Sequence, residues 1–393
     1  MSLAVSQRCQ RVKPSPTMAV TAMAAELRAK GRDVIDLGAG EPDFDTPEHI
    51  KAAGIEAIRS GQTKYTPVEG TAALKRAVIE KFSRENHLTY GMDQIVVSCG
   101  AKQTCYNVCG AVLNSGDEAI VPAPYWVSYP DMIKLCDAEP VIVAAMMQDG
   151  FKITPRLLGA AITPKTRLIF LNSPSNPTGA AYTRAELQAL GKVLEKHPDI
   201  VIAADDMYEH IYWATEPFVS FAEVCPALYD RTVTINGVSK AYAMTGWRIG
   251  YAGGPQAIIG AMKKIQSQST SNPSSISQAA SIAALSGDQA CVREMTKAFR
   301  ERHDYVVAAL NGIPGFKCLP SAGTFYAFPD ASDAIRAKGL KDDLALSELL
   351  LNSGDVAVVP GSAFGAPGYL RLSFACSLDT LKEAIRRITR VIG

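Results

Sequence analysis

The sequence predicts an α/β fold: a large domain with a mostly parallel central sheet flanked by helices, plus a smaller α+β domain. Three observations carry the prediction. Short apolar runs without polar alternation recur through the middle of the chain, as strands buried on both faces require. Helical patterns such as 185–196 separate many of them, an alternation that implies a mostly parallel sheet. After Gly254 the pattern changes to long helices with a few short strands.

In chain order the strand candidates are 95–98, 118–122, 140–144, 168–172, 201–204, 232–236 and 249–252, several of them bounded by Gly or Pro. A helical region follows Gly254 and is interrupted near Asn272 and Pro273; residues 295–310 read as the next helix. Shorter strands are expected at 324–328 and 370–374. The last helix sets Leu378, Leu381, Ile385, Ile388 and Val391 on one face at 3.6-residue spacing. The expected division is a large domain over 46–285 and a small one over 286–393, with residues 1–45 packing on the small domain.

Composition excludes several classes of function. The chain has 393 residues, 47% of them hydrophobic, and a formal net charge of +1, so neither nucleic acid nor an anionic membrane is expected as a main partner. The nine cysteines form no C-x-x-C pair, which fits a reducing compartment. Cys99, Cys105 and Cys109 are read as buried packing rather than metal ligands, and no metal site is expected. No stretch approaches a membrane span, and the N-terminal Arg8, Arg11 and Lys13 lack the apolar run of a signal peptide. A soluble, cytoplasmic protein is the expectation.

Ligands of open parallel sheets bind outside the carboxyl ends of the strands. Here "SCGAKQT", "APYWVSY", "NSPSNPTG", "ADDMYEH" and "NGVSKAY" all fall just past such ends. Gly100 and Ala101 open a helix whose amides suit a phosphate, although a glycine there also serves a plain turn. Trp126 suits stacking on a planar ring or burial in a core. Asn176, in Asn-Pro-Thr-Gly, is turn chemistry that also presents an amide to a ligand. Asp205 and Asp206 end an apolar strand, where a carboxylate needs a cationic partner; Asp206 has the alternative reading of a helix N-cap. Tyr208 offers a phenolic hydrogen bond or fills space. Arg371, in the apolar "YLRLSFA", suits bidentate binding of a carboxylate or a structural ion pair. Lys240 lies among small and apolar residues that disfavour its charged form and make its amine a nucleophile toward carbonyls. Arg248, just downstream, adds charge for a phosphate. Together these groups describe a site for pyridoxal 5'-phosphate.

The combination of "GAGEPDFDTPEHI", "TKYTPVEG", "PYWVSYP", "NSPSNPTGA", "DDMYEHIYW", "SKAYAMTGWRIGYAGGP", "VVPGSAFG" and "YLRLSFA", with "KPSPTMAVTA" near the start, resembles class I aminotransferases of pyridoxal phosphate fold type I. The likeness is strongest to the bacterial subgroup of aspartate and prephenate aminotransferases. It implies an aldimine/ketimine ping-pong exchange of an amino group, most simply from L-aspartate to 2-oxoglutarate, in a homodimer with shared active sites. Lys240 then looks like the Schiff-base lysine and proton carrier, and Asp205 like the partner of the ring nitrogen. Asn176 and Tyr208 look like partners of the ring hydroxyl, and Trp126 like the stacking residue. Gly100, Ala101, Lys102, Ser239 and Arg248 would line the phosphate end, with Tyr65 reaching the phosphate of the neighbouring subunit. Arg371 would hold the substrate α-carboxylate, flanked by Gly40, Asn176 and Trp126.

This sequence also departs from the family pattern. Gly237 stands where many relatives carry a serine three residues before the lysine. The stretch "SQSTSNPSS" lacks the arginine that some relatives use for the distal carboxylate, leaving Lys102 or Lys13 to serve. Other chemistries on this scaffold remain as alternatives: prephenate, aromatic or kynurenine transamination, or β-elimination. A regulatory cofactor-binding module would carry an added DNA-binding domain, and with no helix-turn-helix or basic patch read in this sequence that role is not expected.

Overall fold

A computed structural model describes residues 3–14 and 16–393; Ser15, within "KPSPTMAVTA", lies outside the described residues. Strands follow in chain order: β1 (Ile35–Asp36), β2 (Ile95–Ser98), β3 (Glu118–Ala123), β4 (Glu139–Ala144), β5 (Thr166–Asn172) and β6 (Val201–Asp205). Then come β7 (Thr232–Gly237), β8 (Gly250–Gly253), β9 (Tyr326–Ala327), β10 (Val356–Ala357), β11 (Val359–Pro360) and β12 (Leu370–Ser373). Seven of them form one sheet in the order β2-β8-β7-β6-β5-β3-β4. Every pairing in it is parallel except the two made by β8.

Alternation along each strand divides the core between the two faces of this sheet. Leu168 and Phe170 of β5 join Val108 and Cys109 of the helix Ala101–Val112 on one face. Ile169 and Leu171 join Leu187, Leu190 and Leu194 of the helix Arg184–Leu194 on the other. That helix starts at a capping box between Thr183 and Glu186, and each of its buried leucines contributes roughly 1.5–3 kcal/mol. Both strand faces are therefore apolar, which is why the runs show no polar alternation.

The antiparallel course of β8 differs from the simplest reading of the sequence and has a consequence for the site. Its amino end pairs with the carboxyl ends of β2 and β7, Gly250 lying opposite both Ser98 and Gly237. Arg248, which precedes β8, thereby arrives at the same rim as the residues that follow the parallel strands.

A second group of elements packs the helices Ala290–Asn311, Asp343–Gly354 and Leu378–Ile392 on the antiparallel sheet β11-β12-β9. Strand β1 pairs parallel with β10, which ties the N-terminal segment to these elements. In the last helix Leu381, Ile385 and Ile388 are buried and Val391 is partly so. Leu378 is instead 39% exposed, because it is the first helical residue and precedes the turn that meets the core. All nine cysteines are free. Cys105 and Cys109 sit in the core as expected, whereas Cys99 is only half-buried at the rim. No helix among the described residues is long and apolar enough to cross a membrane.

Candidate active site

At the rim, beside the point between β3 and β5 where the connections reverse direction, a cavity of about 540 Å³ opens. Its walls hold Gly40, Ala101, Lys102, Trp126, Asn176, Asp205, Tyr208, Ser239, Lys240, Arg248 and Arg371. These residues come from segments more than 300 positions apart. Gly100 lies just behind them: with φ +84° it turns the chain into the helix Ala101–Val112, and a Cβ there would fall 2.3 Å from an Nη of Arg248. The guanidinium thus packs directly on the backbone that opens the helix, and the helix's positive end and Arg248 face one side of the cavity together.

Asp205 closes β6 as an almost fully buried carboxylate. It accepts hydrogen bonds from the Tyr129 hydroxyl at 2.5 Å, the Cys105 thiol at 3.9 Å and the Met207 amide at 3.2 Å. Burial pushes its pKa up, and the Tyr129 and Met207 bonds oppose the shift. Asn172 braces the neighbouring turn, donating to the Asp205 carbonyl at 2.9 Å and accepting from the Asn176 amide at 2.8 Å. Asp206 is not a helix N-cap, because a turn and not a helix follows it. Its buried carboxyl accepts from the Ser220 hydroxyl at 2.6 Å, and burial drives its pKa well up.

The turn 206–210 that carries Tyr208 is anchored from behind. Glu209 accepts from Lys81, from Asn86 at 2.7 Å and from Asn236 at 2.8 Å, and the Lys81 side chain is completely buried. Glu85, Glu209 and His210 are the one metal-like grouping among the described residues, but the Lys81 ammonium already supplies its cation. Breaking a buried pair leaves an uncompensated charge, so Lys81→Met is expected to cost about 3–5 kcal/mol, read as a lower urea unfolding midpoint. An unchanged midpoint would show that the pair does not hold the turn.

Lys240 follows β7 in a tight turn. Its amine donates to the Gly40 carbonyl and lies 5.9 Å from the centre of the Phe325 ring. Burial pulls its pKa down to about 8, helped by the nearby cations Arg371, Arg248 and Lys102 and opposed by Glu41. The amine is therefore charged below pH 8 and neutral above it. The unfolded chain binds this proton up to about pH 10.5, so stability should gain from this group as pH rises from 8 to 10.5. Acylation of Lys240 in the cofactor-free protein, followed by peptide mass, is expected to show a midpoint near 8; a midpoint near 10.5 would refute the shift.

Arg371 is 2% exposed, and among the described residues no carboxylate forms an ion pair with it, although the charge of Asp36 acts on it from further off. Its Nη atoms donate to the Asn176 side-chain oxygen at 3.0 Å and the Gly38 carbonyl at 2.6 Å, while Nε has no partner. Its guanidinium lies between the Tyr326 ring at 4.4 Å and the Phe364 ring at 5.0 Å. The structural ion pair that the sequence allowed is absent. A buried cation with an unused donor is costly unless an anion joins it.

Lys102 lies with its ammonium 5.2 Å from the Trp126 ring, and Trp126 packs edge-on against Tyr129. Gly237 has no room for the serine that the family resemblance leads one to expect, since a Cβ would sit 2.9 Å from both the Ile249 carbonyl and the Met207 methyl. Ser239 lines the cavity nearby. Tyr65 is 93% exposed and stands apart from the cavity of its own chain, and Lys13 does not line it. Sequence reading missed Tyr129, Asn172, Cys105 and Tyr326. Asn172 and Tyr129 stood inside quoted motifs, while Cys105 and Tyr326 read as ordinary core residues.

Residues 32–388 match the family described as aminotransferase class I and II, and the chain belongs to it. The chain is thus an aminotransferase of this class. It is 56% identical to the aspartate/prephenate aminotransferase of Nitrosomonas europaea, over 99% of this chain and 100% of that one. It is 48% identical to the aspartate aminotransferase of Bacillus subtilis, over 99% and 98% of the two chains. Among solved structures, the aspartate aminotransferase of Rhizobium meliloti superposes with a TM-score of 0.96 at 49% identity, covering 100% of this chain and 99% of that one. The aspartate aminotransferase of Thermus thermophilus with maleate gives 0.94 at 42% identity, covering 99% and 100%. The fold is accordingly fold type I, as the sequence predicts.

Proposed function

We propose that this aminotransferase uses pyridoxal 5'-phosphate to move the amino group of L-aspartate to 2-oxoglutarate. The observation that carries the reading is Arg371, a buried guanidinium with a free donor and no anion, facing the cavity that holds Lys240 and Asp205. The donor set fits the cofactor: a helix amino end with Arg248 for the phosphate, a buried carboxylate for the ring nitrogen and an amine for the aldehyde. In this reading Gly100, Ala101, Lys102, Ser239 and Arg248 hold the phosphate, and Trp126 stacks on the ring. Asn176 and Tyr208 bond the ring hydroxyl. Tyr65 reaches across a homodimer interface to the phosphate of the neighbouring subunit.

When bound, the cofactor supplies a carbonyl for the substrate amine and a protonated ring that withdraws electrons from the substrate α-carbon. The chain's own residues do the rest. Asp205, buried and fixed by Tyr129 and the Met207 amide, keeps a proton on the ring nitrogen. Arg371 grips the α-carboxylate with the parallel donors that suit it, and so orients the α-hydrogen. The Lys240 Nζ, once neutral, would take that α-proton and hold it for return across the site. In the cofactor-free chain a pKa of about 8 leaves about a tenth of the amine neutral at pH 7, so the free amine is readily deprotonated there.

The preference for a second carboxylate is supported by relatives named for aspartate, one of them solved with maleate. Prephenate is a second reading, favoured by two relatives at 56% identity named for both substrates. The test is a half-reaction: holoenzyme given L-aspartate alone should release one oxaloacetate per subunit and stop, and 2-oxoglutarate should restart it. Continuous release of pyruvate and ammonia would overturn the proposal in favour of a lyase.

A further inference from the structure

Tyr326 stands where the two groups of elements meet, and its side chain serves both. It opens β9, which pairs with β12, the strand that carries Arg371. Its ring lies under the Arg371 guanidinium at 4.4 Å, and its hydroxyl lies 3.0 Å from the hydroxyl of Tyr208, which follows β6 of the central sheet. The residue is 1% exposed and its oxygen borders Gly40, whose carbonyl accepts from Lys240. It therefore touches the group assigned to the substrate carboxylate and the group assigned to the cofactor's ring hydroxyl. Asn176 is the other link, since its oxygen accepts from Arg371 and it is itself assigned to the ring hydroxyl.

We infer that Tyr326 is a positioning residue that couples these two halves of the site, its ring fixing Arg371 and its hydroxyl setting how strongly Tyr208 donates. The inference rests on the reading of the site given under the proposed function. Its chemistry follows from one proton count. A tyrosine hydroxyl has a single hydrogen. When Tyr208 spends its own on the ring hydroxyl oxygen of the cofactor, the contact with Tyr326 survives only if Tyr326 becomes the donor. Hydrogen bonds in such a chain polarise one another, so a donation into Tyr208 makes Tyr208 the better donor. Below the hydroxyl, the ring presents its electron-rich face to the guanidinium. It holds that cation flat without competing for the donors that a carboxylate needs.

The test uses the holoenzyme and two variants. Tyr326→Phe keeps the ring and removes the hydroxyl. The oxygen of the bound cofactor then loses stabilisation in its deprotonated form. The pH midpoint of the cofactor's absorbance change should rise by about half a unit or more. Affinity for maleate, an unreactive dicarboxylate, should stay within about threefold of wild type, because the ring remains over Arg371. Tyr326→Leu should raise the midpoint and also weaken maleate at least about tenfold. A midpoint unmoved in Tyr326→Phe overturns the coupling, as does wild-type maleate affinity in Tyr326→Leu. Should Tyr326→Leu fail to fold, the two readings on Tyr326→Phe decide alone. A wild-type protein whose bound cofactor shows no pH-dependent absorbance would instead sink the underlying assignment of the site, and the coupling with it.

Discussion

Replacing Lys240 with alanine is expected to lower kcat by at least about 10²–10⁴-fold, the contribution of a positioned general base, with a further loss from the missing covalent attachment. The effect should be on chemistry and not on folding. In the structure the amine makes one hydrogen bond, to the Gly40 carbonyl, and stands among the cations Arg371, Arg248 and Lys102. Removing a charge from that neighbourhood relieves repulsion, so the unfolding midpoint should not fall by more than the roughly 1 kcal/mol of a lost hydrogen bond. Stopped turnover with a retained fold is the expected pair of results. Wild-type turnover in Lys240→Ala would remove the residue from the mechanism altogether.

Arg371→Leu should follow closely in size. A carboxylate bound to the guanidinium gains two charge-assisted hydrogen bonds of about 1.5–3 kcal/mol each, so kcat/KM should fall by about 10²–10⁴-fold. Two side effects separate this role from a structural one. Arg371 is the foremost of the cations that hold the Lys240 pKa down, so its loss should move that midpoint upward from about 8. The arginine is also a buried cation without an anionic partner, and an apolar replacement should leave stability unchanged or higher. A destabilised Arg371→Leu with near-normal kcat/KM would show the residue to be a scaffold.

Much of this site is legible in the sequence because its residues break local rules. Asp205 is a carboxylate at the end of an apolar strand, Arg371 a guanidinium inside one, and Lys240 an amine among alanines and aromatics. Each is expensive unless it has a use, and the structure brings all three to one cavity. The central strands are legible for a related reason, since burial on both faces leaves them uniformly apolar. What supports the site is harder to see. Tyr129, Cys105 and Tyr326 obey the rules of a core, and only the fold reveals that they also touch Asp205, Tyr208 and Arg371. Strand direction is equally hidden: the run at β8 looks like its parallel neighbours, and only its pairing explains how Arg248 reaches the rim. The pairing of β1 with β10 involves two residues on each side, too few to show any period. Gly237 is the reverse case, a departure whose reason is spatial, because Ile249 and Met207 fill the place of a side chain.

One bond is central to the proposed chemistry, that between the cofactor and Lys240. Holoenzyme reduced with borohydride and digested should carry pyridoxyl phosphate at one position, on the peptide containing Lys240, at about one per subunit. The adduct on any other lysine, Lys102 included, would contradict the account.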